Sequence, residues 1–321
     1  MTSLRLAGAQ WTATADPADN LARIDELTAR AAEQGARLVV HPEAAMAPFS
    51  GRLDTIAEPL DGRFADGVRA LAERHGVTVV VGMFTPADEV TTDAGKVRSR
   101  VRNTLLVTGP GTTETTYDKI HLYDAFGSRE SDTVAPGDLV RTLDVDGWRV
   151  GLATCYDVRF ADHFAELRRR HCEVVVLPAS WGDGPGKASQ WDLLARARAH
   201  DSQTWLLAVG QAWTPESVKG PYGIGRSVLA DPTGEVRARL GGGEDLLVAD
   251  VDRESVERTR STIPAGWTSS RAALPTSCRS GGCSSPTPIS SHALHTTPTW
   301  PCRTCRRRTA ATTAATSTTR R

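Results

Sequence analysis

Strand-length apolar runs and helix-length amphipathic runs alternate along the first 264 residues of this 321-residue chain, and that alternation leaves few folds open. LRLAGAQ leads into a turn and a helix with a well-marked start, Asp16 as N-cap and Pro17 at the first helical position. Leu21, Ile24, Leu27 and Ala31 then recur at helical spacing, and Gly35 fits a C-terminal stop. Strand RLVVH, helix FADGVRALAERHG and strand VTVVVGMF follow. VRNTLLVTG and TTETTYDK, joined by Gly109-Pro110-Gly111, read as a β-hairpin. The theme returns with WRVGLATC, a helix near Ala161–Arg170, strand EVVVLPASW, helix KASQWDLLARARAH and strand TWLLAVGQ. GRSVLADPTGEVRARL is a second hairpin, turning at Asp231-Pro232-Thr233-Gly234, and DLLVADV is the last strand. Hairpins mixed with βα units predict a layered α/β sandwich rather than a purely parallel sheet. No short internal sequence repeat is present.

Three of these runs end in residues that can do chemistry: Glu43 after RLVVHP, Lys119 after TTETTYD and Cys155 after WRVGLAT. Strand ends are where an α/β sandwich presents side chains to a pocket. A free thiol has a pKa near ~8.5 and is mostly protonated at neutral pH, so a nucleophilic cysteine needs company. A carboxylate emerging into a low-dielectric pocket can serve as its base, and an ammonium can stabilise thiolate and oxyanion alike. The turn directly after Cys155 adds backbone N–H groups that polarise in the same sense. Taken singly, each residue has a plainer reading: buried core cysteine, solvated loop carboxylate, surface lysine. Cys172, inside HCEVVVLP, keeps the core reading.

In order and context the three match something specific. HPEAAMAPF, YDKIHLYDAFG and GLATCYDVRF resemble the signature blocks of the nitrilase superfamily of carbon–nitrogen hydrolases. The resemblance runs from about Leu4 to Pro264 and takes in LPASW, the helix holding Trp191 to Ala197, and GRSVLADPTGE. It implies an α-β-β-α four-layer sandwich that pairs through a helical face into a homodimer or larger homo-oligomer. It also implies a Glu43-Lys119-Cys155 triad, assisted by Glu130 of SRESDTVAPGD. That chemistry hydrolyses an amide through a thioester and needs no metal or organic cofactor; the body has no HExxH, no GxxxxGK loop and no CxxC. Cys155-Tyr156-Asp157 is similar to the amidase branch, and KIHLYDAFGSRES to deaminated-glutathione amidases and omega-amidases. The implied partners are a small-molecule amide and water. An N-carbamoyl hydrolase with the same triad, or an idle scaffold of the same fold, are the alternatives. Tyr156 and Trp181 are candidates for the substrate pocket, and Arg159 and Arg226 for its carboxylate partners. One departure lies beside the nucleophile: Arg159-Phe160-Ala161-Asp162 stands where the family usually has Arg-Phe-Pro-Glu, which predicts a looser first helical turn.

Formal net charge is zero, but it is unevenly spread: residues 265–321 hold eight Arg and no acid, leaving the first 264 with 30 basic and 38 acidic groups. A mildly acidic body, no apolar run near the ~18 residues of a membrane span and no secretory start predict a cytoplasmic protein with neither nucleic acid nor membrane as partner. The tail has 22 Ser or Thr among 57 residues and no apolar periodicity, which predicts disorder. Its Cys278-x4-Cys283 and Cys302-x2-Cys305 approach zinc-ribbon spacing, though without strand-like runs around them. A reading-frame change accounts for the tail better. With G/C-rich codons, GWTSSRAALPTS back-translates so that a frame two bases in reads LDVEPRRPADQ, a charged, family-like ending.

Overall fold

The computed structural model describes residues 2–91, 95–125, 127–215 and 223–263; the expectations for residues 265–321 lie outside them. The first strand β1 (Ser3–Gln10) runs into α1 (Pro17–Glu33), whose Asp16 N-cap accepts from the Ala18 N–H at 2.8 Å. Next come β2 (Leu38–Val40), α2 (Arg63–His75), β3 (Thr78–Thr91), β4 (Val97–Thr108) and β5 (Thr115–Asp118). After a hairpin of β6 (Thr142–Val145) and β7 (Trp148–Leu152), the chain makes α3 (Ala161–Arg169), β8 (Val174–Ala179), α4 (Lys187–Ser202) and β9 (Trp205–Gly210). It closes with β10 (Val228–Ala230), β11 (Val236–Arg239), β12 (Asp245–Asp252) and α5 (Arg253–Thr262).

These strands form two six-stranded mixed sheets, ordered β12-β1-β2-β3-β4-β5 and β11-β10-β9-β8-β7-β6. In each, three neighbouring strands run parallel, β1-β2-β3 and β7-β8-β9, and the rest are antiparallel. Strand alternation sorts the side chains into layers. Leu4, Leu6, Leu38 and Val40 of the first sheet meet Val150, Val174, Leu207 and Val209 of the second in one buried cluster. The opposite face of the first sheet packs Val39, Val79 and Val81 against Ile24 and Leu27 of α1 and Val68 and Leu71 of α2. Val175, Leu206 and Ala208 do the same for the second sheet, against Phe164 and Leu167 of α3 and Trp191 and Ala195 of α4. The result is the expected α-β-β-α sandwich.

Two elements go beyond the sequence reading. RTLDV pairs with WRVGL as β6, and RESVERTRST is helical, its Asp252 N-cap accepting from the Ser255 N–H. The loosened turn predicted after Arg159 resolves as two pieces: a short 3-10 helix, Cys155–Arg159, and then α3 starting directly at Ala161. Among the described residues no helix is long and apolar enough to cross a membrane.

Candidate active site

Glu43 lies three residues beyond β2 and is 1% exposed; Lys119 directly follows β5 and is 2% exposed. The lysine Nζ donates to Glu43 Oε1 at 3.0 Å and to both oxygens of Glu130, at 3.0 and 2.9 Å. Burial works against its charge, but Glu130 and then Glu43 outweigh that cost and hold its pKa well above the usual lysine range. Glu43 accepts two further bonds, from Asn103 Nδ2 at 2.8 Å and from the Ser180 backbone N–H at 2.7 Å. Ser180 follows β8, so the carboxylate is held from both sheets.

Cys155 is buried three residues after β7, and its thiol lies close enough to Glu43 and Lys119 to feel both charges. Burial first, and then the Glu43 charge, push the thiol pKa well above its ordinary value, against the pull of Lys119. Both influences favour the thiol form, with a carboxylate beside it. Its φ is +45°, left-handed for a non-glycine residue. Two hydrogen bonds hold the turn: Asp157 Oδ2 accepts from the Thr154 N–H at 2.8 Å, and the Asp157 N–H donates to the Thr154 carbonyl at 3.0 Å. The same Oδ2 accepts from Tyr117 Oη at 2.6 Å, while Oδ1 faces the His121 N–H at 3.0 Å and His121 Nδ1 at 2.7 Å. Burial alone would raise the Asp157 pKa; His121, followed by His163, Tyr117 and Thr154, brings it below the carboxylate range. Among the described residues, His121, Asp157 and His163 form a group close enough to share a cation. The four hydrogen bonds on Asp157 already engage its oxygens, so the group fits a brace under the nucleophile better than a metal centre.

Glu43, Lys119, Glu130 and Cys155 form the floor of a cavity of about 440 Å³, within the range of small-molecule sites. A buried carboxylate, a charged ammonium and a thiol at one floor can exchange a proton, stabilise an oxyanion and make a covalent bond. A carbon–nitrogen hydrolase family model matches residues 4–261. The chain belongs to that family. It is 46% identical over 270 residues to a hydrolase of Mycobacterium tuberculosis, covering 81% of this chain and 93% of that one. It is 33% identical to an omega-amidase of Homo sapiens (82% and 94% covered) and 32% to a deaminated glutathione amidase of Escherichia coli O157:H7 (81% and 94%). Among solved structures, Nit3 of Saccharomyces cerevisiae, a nitrilase-superfamily member, superposes with a TM-score of 0.70 at 25% identity, covering 84% of this chain and 97% of that one. This chain is thus a nitrilase-superfamily carbon–nitrogen hydrolase that acts on amides.

The remaining expected site residues of this hydrolase divide into two groups. Tyr156 and Trp181 line the cavity. Arg159 lies outside its lining: the guanidinium stands 5.5 Å from the Tyr156 ring centre and 5.2 Å from that of Trp181, and donates to Gln190 Oε1 at 2.7 Å, supporting two cavity walls from behind. Arg226 is also outside the lining; its Nη2 donates to Asp192 Oδ2 of α4 at 2.9 Å, an oxygen shared with Arg239. Cavity-lining residues that sequence reasoning missed include Tyr123, Arg129 and Lys187. Asn103 and Asp157 were missed as well, since their importance lies in contacts with distant segments. Only Lys187, the first residue of the expected helix KASQWDLLARARAH, carried any local signal, and a lysine there ordinarily reads as solvated.

Proposed function

We propose that this hydrolase is a thiol amidase that cleaves the terminal amide of a small carboxylic-acid amide, of the kind found in deaminated glutathione and 2-oxoglutaramate. The observation that carries the reading is the meeting of Glu43, Lys119 and Cys155 at one buried floor. Glu43 takes the thiol proton as Sγ bonds to the amide carbon. The charged Lys119, with the backbone N–H that follows Cys155, stabilises the oxyanion. Collapse breaks the C–N bond as Glu43 returns the proton to the nitrogen, and ammonia leaves. Water then attacks the thioester, giving up its proton to Glu43; the C–S bond breaks, the acid is released, and the thiol is restored. Glu130, bonded to Lys119 through both oxygens, fixes that ammonium in place. Similarity at comparable identity to an omega-amidase and to a deaminated glutathione amidase supports the acyl class and leaves the two substrates to be ranked by turnover.

The test is ammonia release by the full chain from deaminated glutathione and from 2-oxoglutaramate. Cys155→Ala is expected to lower it by at least about a thousandfold, as loss of a covalent nucleophile does. Retention of ammonia release in that variant would sink the mechanism, and the ratio of rates in the unaltered protein ranks the substrates. The mildly acidic body supports a cytoplasmic location, and membership of the family supports a homodimer or larger homo-oligomer. Residues 265–321 read as the product of a frame change, a reading that resequencing to one intact frame would remove as a sequencing error.

A further inference from the structure

The cavity holds two lysines in different settings. Lys119 is at the buried floor, clamped between Glu43 and Glu130; two carboxylates against one ammonium give that floor a formal charge of −1. Lys187, the first residue of α4, is half-buried, so it lies nearer the solvent. Its Nζ is 3.4 Å from Tyr123 Oη, 5.3 Å from the Tyr123 ring centre and 5.6 Å from that of Trp181. Trp181 Nε1 donates to the Lys187 carbonyl at 3.1 Å, so backbone and side chain of this lysine are tied to the same wall. Aromatic faces hold an ammonium in place and strip part of its water, which strengthens its pull on an anion without cancelling its charge.

Nearer the solvent the lining carries Arg129, Lys187 and the exposed Asp183, a formal charge of +1, and this difference from the floor orients a substrate. An acid monoamide that enters with its carboxylate first meets the negative floor; with its amide first, it brings the neutral group to Cys155 and leaves the carboxylate at the shallower level of Lys187. The other cations fit this task less well. Arg129 is 71% exposed and paired with Asp132, and Arg159 and Arg226 do not line the cavity. We propose that Lys187, with the Tyr123 hydroxyl, is the carboxylate receptor of the acyl pocket and selects amides with a distal carboxylate over neutral amides of the same length. The assignment rests on the amidase reading for its kinetic consequence, but not for binding.

The experiment compares glutaramate with valeramide, which has the same chain length and a methyl in place of the carboxylate, using the full chain. In Lys187→Met, kcat/KM for glutaramate is expected to fall roughly 10- to 100-fold, the worth of one charge-assisted hydrogen bond, and for valeramide to stay within about twofold. Lys187→Arg should recover part of the loss and serves as the check on folding. In parallel, calorimetry measures glutaramate binding to Cys155→Ala with and without Lys187→Met. An equal fall for both amides, no fall for glutaramate, or binding indifferent to Lys187 would overturn the receptor. No binding of glutaramate to Cys155→Ala would overturn it too. Lys187-dependent binding with no ammonia released from any amide by the unaltered protein would instead sink the amidase reading and leave the receptor standing.

Discussion

Two turns meet at the cavity floor, the one after β2 that carries Glu43 and the one after β7 that carries Cys155. Each puts a non-glycine residue in the left-handed region, Ala44 at φ +56° and Cys155 at φ +45°, at a cost of roughly 1 kcal/mol apiece. They differ in how that conformation is held. The Glu43 turn is pinned from the second sheet: Gln211, just after β9, donates its Nε2 to the carbonyls of Glu43 at 2.9 Å and Ala44 at 3.2 Å. It also sits on a glycine of its own sheet, since a Cβ at Gly82 would lie 2.7 Å from the Ala44 nitrogen. The Cys155 turn holds itself through the paired Thr154–Asp157 hydrogen bonds and is then pinned from the first sheet by Tyr117 of β5. Base and nucleophile thus keep their spacing because each turn is braced by the opposite sheet, which a loop held only by its own residues could not guarantee.

Breaking the self-held turn should have the largest effect on stability. Asp157→Ala strips a buried carboxylate from four donors, and a loss of about 3–5 kcal/mol is expected in urea unfolding, with ammonia release abolished. A loss below about 1 kcal/mol would show that the Asp157 carboxylate is not what holds the turn. The other turn breaks by overpacking. Gly82→Ala drives a methyl into the Ala44 and Glu43 backbone and should cost about 1–3 kcal/mol and about 100-fold in kcat, the scale of a 1 Å misplacement. Unchanged kcat in that variant would mean that the Glu43 turn yields without moving its carboxylate.

The smallest effect sharpens the comparison through pH. Each turn has a buried histidine nearby: His41, bonded to Trp11 Nε1 and Thr28 Oγ1, by the Glu43 turn, and His163, bonded to the Leu152 carbonyl, by the Cys155 turn. Burial lowers both pKa values, that of His41 to about 3. The folded state therefore binds fewer protons than the unfolded chain below the ordinary histidine pKa, so this stability is complete above about pH 6.5 and is lost as pH falls toward the folded value. From pH 7.5 to 5.5, His41 should account for about 1.4 kcal/mol of lost unfolding free energy, with His163 adding in the same direction. Urea titrations at the two pH values, with His41→Gln as comparator, measure it; a drop of equal size in the variant removes His41 as the source.

Much of this was legible because it depends on local pattern. Asp16 and Pro17 start α1 as the sequence indicated, and Asp231 caps the second hairpin turn through Thr233 and Glu235. The alternating faces of RLVVH and EVVVLP required two-sided burial, hence layers. That Glu43, Lys119 and Cys155 come just after strands was readable for the same reason, although Glu43 and Cys155 lie in turns three residues beyond β2 and β7 rather than at the strand ends. β6 escaped because its four residues carry too little periodicity on their own, and α5 because its buried face is only Val256 and Thr259.

What the sequence by itself determined is therefore the set of elements, their layering and the chemical types delivered to one edge, because these follow from periodicity and chain direction. The tertiary structure decided which polar groups face one another. Arg159 and Arg226 were equal candidates for a substrate carboxylate until the fold turned one behind the cavity walls and tied the other to Asp192, while Lys187 was brought to the lining from 32 residues beyond Cys155. Such pairings depend on the register between two sheets whose strands, among the described residues, are not hydrogen-bonded to each other, and no local run of residues encodes that register.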